Sequence, residues 1–145
     1  MPNRKTHTTT GTVIGILYSI ANQKSENRFS MTELMGSAAG GYTGGQLADI
    51  FDPTDSPNHR KSGHSIIAAL TGAAIVQIAV RNLRTSRKQL QNTADRYIQY
   101  GYDIPVETIM KVACNELLTG FLMGLSAGYM SHLALDSLTP AGINL

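Results

Sequence analysis

The chain has 145 residues, 42% of them hydrophobic and 15% charged, with a net charge of +2. That length suits one domain spanning 1–145, able to bury about two-thirds of its unfolded surface. Spread-out basic residues give no stripe for counter-ion release onto nucleic acid, and the single cysteine rules out an internal disulfide or a thiolate zinc cluster.

Met1 to Thr10 is polar, and no small-residue cleavage site follows the apolar run Val13 to Ile20. A cytoplasmic location, with membrane association open, is the expectation. Thr6-His7-Thr8-Thr9-Thr10-Gly11 precedes a first helix over Thr12 to Ala21, with the threonines as candidate N-caps and His7 at its entrance. Asn22 to Arg28 reads as a polar loop. Ser30-Met31-Thr32-Glu33 has capping-box spacing and opens a second helix rich in glycine, where close approach to another helix is expected.

From Asp49 to Ser65 two prolines and a glycine forbid continuous helix, leaving a loop with Asp52, Asp55, His59 and His64 between two apolar segments. So many metal-competent side chains in one loop favour a ligand-bearing role over a solvated linker. Ser65 to Val80 is apolar and reads as a buried core helix, short for the roughly 20 residues of a membrane crossing. Arg81 to Tyr100 reads as a separate basic amphipathic helix with a solvated face, ended by Gly101.

Pro105 begins the last long helix, whose apolar face places Cys114 as core packing and leaves Glu116 as a carboxylate needing either a salt bridge or a proton-carrying role. Near its end His132 and Asp136 are four residues apart, so both leave one helical face a turn apart, as a two-toothed chelate. Imidazole and carboxylate suit zinc first, with manganese or iron as alternatives. The fold class expected is all-α, a compact bundle of five or six helices around a central His/Asp metal site.

Thr6-His7 with Gly11, the Asp49/Asp52 pair, His59-Arg60 with Gly63-His64-Ser65, and His132-Leu133-Ala134-Leu135-Asp136 with Leu138-Thr139-Pro140 and Gly142 run in a recognisable order. In these blocks the chain resembles the YdjM-like family of membrane-bound metal-dependent hydrolases. The resemblance implies His7, Asp49, His59, His64, His132 and Asp136 as metal ligands, with Asp52 a further candidate. Six nitrogen and oxygen donors exceed the needs of one tetrahedral ion, so one or two ions are expected.

A water activated by such a centre would hydrolyse a phosphoester carrying a lipid or nucleotide head group, with no protein nucleophile. Arg60 would steer the anion, and Asp52, Asp55 or Glu116 would pass a proton to the leaving group. The competing reading is a non-catalytic helical module with a structural or degenerate ion site, bound to a protein partner, to a second copy or to a membrane surface.

Overall fold

The structure, a computed structural model, describes residues 4–51 and 66–138. Among them are four helices and no strand: α1 (Arg4–Ser25), α2 (Met31–Phe51), α3 (Ile66–Gln99) and α4 (Val106–Ser137). The all-α class holds, but the count of five or six does not. The apolar and basic stretches expected as two helices form the single 34-residue α3. The change in composition at Arg81 carries no glycine or proline to interrupt the backbone.

The threonines near the N-terminus lie inside α1 rather than capping it. Thr8 donates its hydroxyl to Lys5 O at 3.1 Å and Thr12 to Thr8 O at 2.8 Å, the back-bonding that lets threonine sit within a helix. His7 is therefore a turn into the helix.

The turn into α2 reverses the chain at Asn27, whose φ is 51°. Ser30 caps α2, its Oγ accepting from Glu33 N at 3.1 Å. The second half of the expected capping box is diverted: Ser30 N donates to the Gln23 side chain, and the Glu33 carboxylate turns to Arg28 and Arg87. At the end of α3, Gly101 takes φ 73°. Tyr102 N–H reaches back to Tyr97 O at 2.8 Å and Gly101 N–H to Ile98 O at 3.0 Å, the Schellman pattern that ends a helix at glycine.

Glycine seams set the packing. Gly36, Gly40 and Gly44 of α2 face the carbonyls of Leu117, Phe121 and Leu125, while Gly120, Gly124 and Gly128 of α4 face those of Glu33, Ser37 and Gly41, so α2 and α4 run parallel. A Cβ at Gly40 would lie 2.0 Å from Phe121 O, which no side-chain shift can relieve. On the other side of α2, Gly11 meets Gly41 O and Gly45 meets His7 O, so α1 runs antiparallel to it. Small residues spaced four apart that bring backbones together are how helices associate where no hydrophobic effect drives them, in lipid. The backbone of α3 lies closest to α4, antiparallel to it, with Ala69 in a small cluster with Ala48 and Leu133, while Arg84 and Arg87 reach Asn22 of α1 and Glu33 of α2 through their side chains.

The distribution of side chains is inverted relative to a water-soluble domain. Ser19, Gln23, Glu33, Ser37, Arg87, Thr119 and His132 are buried, whereas Leu17, Met35, Ile67, Leu70, Ile75 and Ile78 face outward. The apolar half of α3 is thus not the buried core helix expected from sequence: apart from Ala69 and Val80, its large apolar side chains look away from the bundle. Cys114 is likewise exposed rather than packed in a core. α4 is long and apolar enough to cross a membrane.

Candidate metal centre

The seam between α1 and α2 brings His7 beside the C-terminal end of α4, where His132 and Asp136 project from one face. The two imidazoles stack with centroids 3.9 Å apart and planes inclined at 23°. His7 Nε2 lies 3.4 Å from Asp136 Oδ1, and His132 Nε2 lies 3.3 Å from Asp136 Oδ2. Asp49, in the last turn of α2, places Oδ1 3.6 Å from the same His132 nitrogen. His7, His132 and Asp136 are at most 3% exposed; the Asp49 side chain, at 31%, is where the cluster meets the surroundings.

The orientation of His132 is fixed by backbone. Its Nδ1 lies 2.8 Å from Gly45 O, and since a carbonyl only accepts, Nδ1 carries a proton. The neutral ring then presents the Nε2 lone pair to two carboxylate oxygens. Lone pair against carboxylate is repulsive, so this geometry calls for a proton on Nε2 or a cation among these atoms. A backbone carbonyl holding the remote nitrogen is also how metal-ligating histidines are oriented. Gly45 had been legible in the sequence only as one of a run of small residues; nothing in its spacing marked its carbonyl as the partner of His132.

His7, His132 and Asp136 offer ligand types that could hold a small divalent ion. A tetrahedron with metal–ligand bonds of about 2.0–2.1 Å has edges of about 3.3 Å. The 3.3 and 3.4 Å separations to the two imidazoles are of that length but run from the two different oxygens of Asp136, and one ligand atom from each of His7, His132 and Asp136 can be chosen so that all lie within 4.8 Å of one another.

Four of the six candidate ligands, His7, Asp49, His132 and Asp136, are therefore together. His59 and His64, with Asp52, Asp55 and Arg60, lie outside the described residues, as does the segment from Thr139 onward. The ends of α2 and α3 that flank residues 52–65 both lie at this end of the bundle, Ala48 and Ala69 packing with Leu133.

Glu116 is elsewhere. Sixteen residues before His132, it stands about 24 Å away along α4. There it accepts from Ser30 Oγ at 2.7 Å and faces Arg28 Nη1 at 3.5 Å. It is a member of a second buried polar cluster with Glu26, Glu33, Arg28, Arg84 and Arg87, and the proton-carrier role gives way to the salt bridge. Arg87, read from sequence as part of a solvated basic face, is 2% exposed and spans Glu26 at 2.7 Å and Glu33 at 3.3 Å. Arg84 joins Glu26 at 3.1 Å. The available signal was the unexplained pair of carboxylates, Glu33 and Glu116, in otherwise apolar helices: each requires a cation, and Arg84 and Arg87, a turn apart, could supply it.

Glycine seams, outward apolar faces and buried polar clusters define a helical membrane protein with a buried His/Asp cluster at one end. The family model described as YdjM inner membrane protein matches residues 1–145, the whole chain, and the chain belongs to that family. No curated protein and no solved structure matches it.

Proposed function

We propose that this protein is a membrane-embedded metal-dependent hydrolase of phosphoesters, its ion held by His7, His132 and Asp136 with Asp49 at the open side. The observation that carries the proposal is the pair of carboxylate-to-imidazole distances, 3.3 and 3.4 Å, around a cluster whose His132 proton is committed to Gly45 O. Zinc suits two nitrogens and an oxygen at these separations best, with manganese or iron as alternatives. One ion accounts for the described ligands; His59 and His64 are proposed to complete the set or to hold a second.

When bound, the ion would lower the pKa of a water and stabilise the oxyanion that develops at phosphorus. The chain's own contributions are separate. Gly45 O keeps the His132 ring in register, and Asp136 spans both imidazoles. Asp49, being part-exposed, is the carboxylate able to accept a proton from an incoming water and return it to the leaving group. Arg60 is proposed to steer the substrate phosphate, and Asp52 and Asp55 are further proton carriers.

The test is metal content with turnover. Protein purified in detergent without chelator is expected to carry about one zinc per chain, to release phosphate or a phosphorylated head group from phospholipid, and to lose both metal and activity in His132→Ala. A folded, metal-free wild type would overturn the proposal. A second reading, a closed structural ion site in a non-catalytic module, is favoured by the near-complete burial of His7, His132 and Asp136; it predicts bound metal without turnover and an Asp49→Asn variant that behaves as wild type.

A further inference from the structure

Beside the His/Asp cluster runs a second feature with a different chemistry. α1 and α3 both flank α4 without packing on one another, leaving a groove of about 690 Å³ floored by α4. Its walls include Thr10 and Ile14 of α1, Ala73 of α3, and Ala127, Met130 and Leu135 of α4. No acid, base or histidine lines it among the described residues. One end is barred where Gln77 Nε2 donates to Tyr18 Oη at 3.0 Å, bridging α3 to α1. The other end borders the cluster: Thr10 is a turn beyond His7, and Ser131 and Leu135 flank His132 in sequence. From Thr10 to Tyr18 the groove follows α1 for about 12 Å.

We infer that this groove holds an acyl chain of the substrate, so that the substrate is a membrane phospholipid rather than a nucleotide; the inference rests on the hydrolase reading above. A volume of this order is that of a ligand cleft, and its mostly apolar lining, with only a few hydroxyl and amide groups, repays less of the desolvation of a nucleotide's sugar or base than of an acyl chain. An apolar chain meets no such cost. The same two helices that form the walls turn Leu17, Ile75 and Ile78 outward, so a lipid enters from its own medium without crossing water. With the tail stopped at Tyr18 and Gln77, the ester end is directed toward the imidazoles.

The experiment uses the full chain in nanodiscs of phosphatidylethanolamine and phosphatidylglycerol doped with a phospholipid bearing a diazirine on its acyl chain. Photolabelling is expected to concentrate on peptides holding Ile14, Ala73 and Met130. Ala73→Trp, which fills the groove, should lower that labelling roughly tenfold, as expected when about two methylenes lose their burial. Gln77→Ala, which removes the bar, should shift capture toward longer chains. Labelling spread evenly over the outward faces, or unchanged by both substitutions, would overturn the inference. His132→Ala keeps the groove and should label as wild type, so a wild type that labels in the groove yet hydrolyses no lipid would sink the hydrolase reading while leaving a lipid site. A wild type that hydrolyses lipid without groove labelling would sink only the acyl assignment.

Discussion

Two buried polar clusters sit at opposite ends of one bundle, and their charge balance separates them. At the Arg/Glu end, Arg28, Arg84 and Arg87 face Glu26, Glu33 and Glu116, three cations against three anions, tied by direct contacts between α2, α3, α4 and the α1–α2 turn. At the His/Asp end, Asp49 and Asp136 face two imidazoles, which are neutral unless protonated. The first cluster balances its charges with protein groups alone. Among the described residues the second sets two carboxylates beside two imidazoles, donor types that suit a cation. A buried network of paired charges locks a fold; one of imidazoles and carboxylates is suited to hold an ion.

Breaking the closed cluster should be the most costly change to stability. Arg87→Met removes the guanidinium shared by Glu26 and Glu33 and leaves the fully buried Glu33 with Arg28 alone. Loss of one partner from a buried pair destabilises by about 3–5 kcal/mol, read as a lowered midpoint of unfolding in detergent. Chelator should make no difference to that loss. If Arg87→Met unfolds like wild type, the Arg/Glu end is not the lock described here.

The ion should contribute less, and only at the other end. Zinc at about 100 times its Kd stabilises the state that binds it by about 2.7 kcal/mol. Chelation should therefore lower the thermal midpoint of wild type and of Glu116→Gln, and leave that of His132→Ala and of Asp136→Ala unmoved. An equal response to chelator in Asp136→Ala would place the metal elsewhere in the chain.

The two ends also differ in how far the sequence disclosed them. His132 and Asp136 share one helix four residues apart, so their convergence needed nothing but helical periodicity. His7 reaches them only because Gly11, Gly41 and Gly45 let α1 and α2 close to backbone contact, a register that no single-helix pattern encodes. The Arg/Glu cluster was hidden because its arginines sit on a helix with other basic residues, where a solvated face is the simplest explanation. Hydrophobic pattern misled in a systematic way. Ile67, Leu70, Ile75 and Ile78 satisfy the same rule whether they meet a protein core or lipid, and here they face outward. Helix ends carried by particular residues, Ser30 before α2 and Gly101 after α3, were readable because their chemistry is local.

Acid should distinguish the ends with the smallest effect. Burial alone would raise the Glu26 carboxyl, but hydrogen bonds from Arg28 and Arg87 and the nearby charges of Arg84 and Arg87 outweigh it and hold the group below its ordinary 4.5. A carboxylate whose folded pKa is depressed adds stability that is fully present above the unfolded value and fades as pH falls through the folded one. Stability should thus begin to decline below about pH 4.5, and Glu26→Gln should flatten that limb by about 0–1 kcal/mol, the range for part-exposed pairs. Titrating the unfolding midpoint of wild type and Glu26→Gln in the presence of chelator isolates this limb from any proton competition at the histidines. If the two curves run parallel below pH 4.5, Glu26 is not held by its arginines, and the closed cluster is reduced to Arg28, Arg87, Glu33 and Glu116.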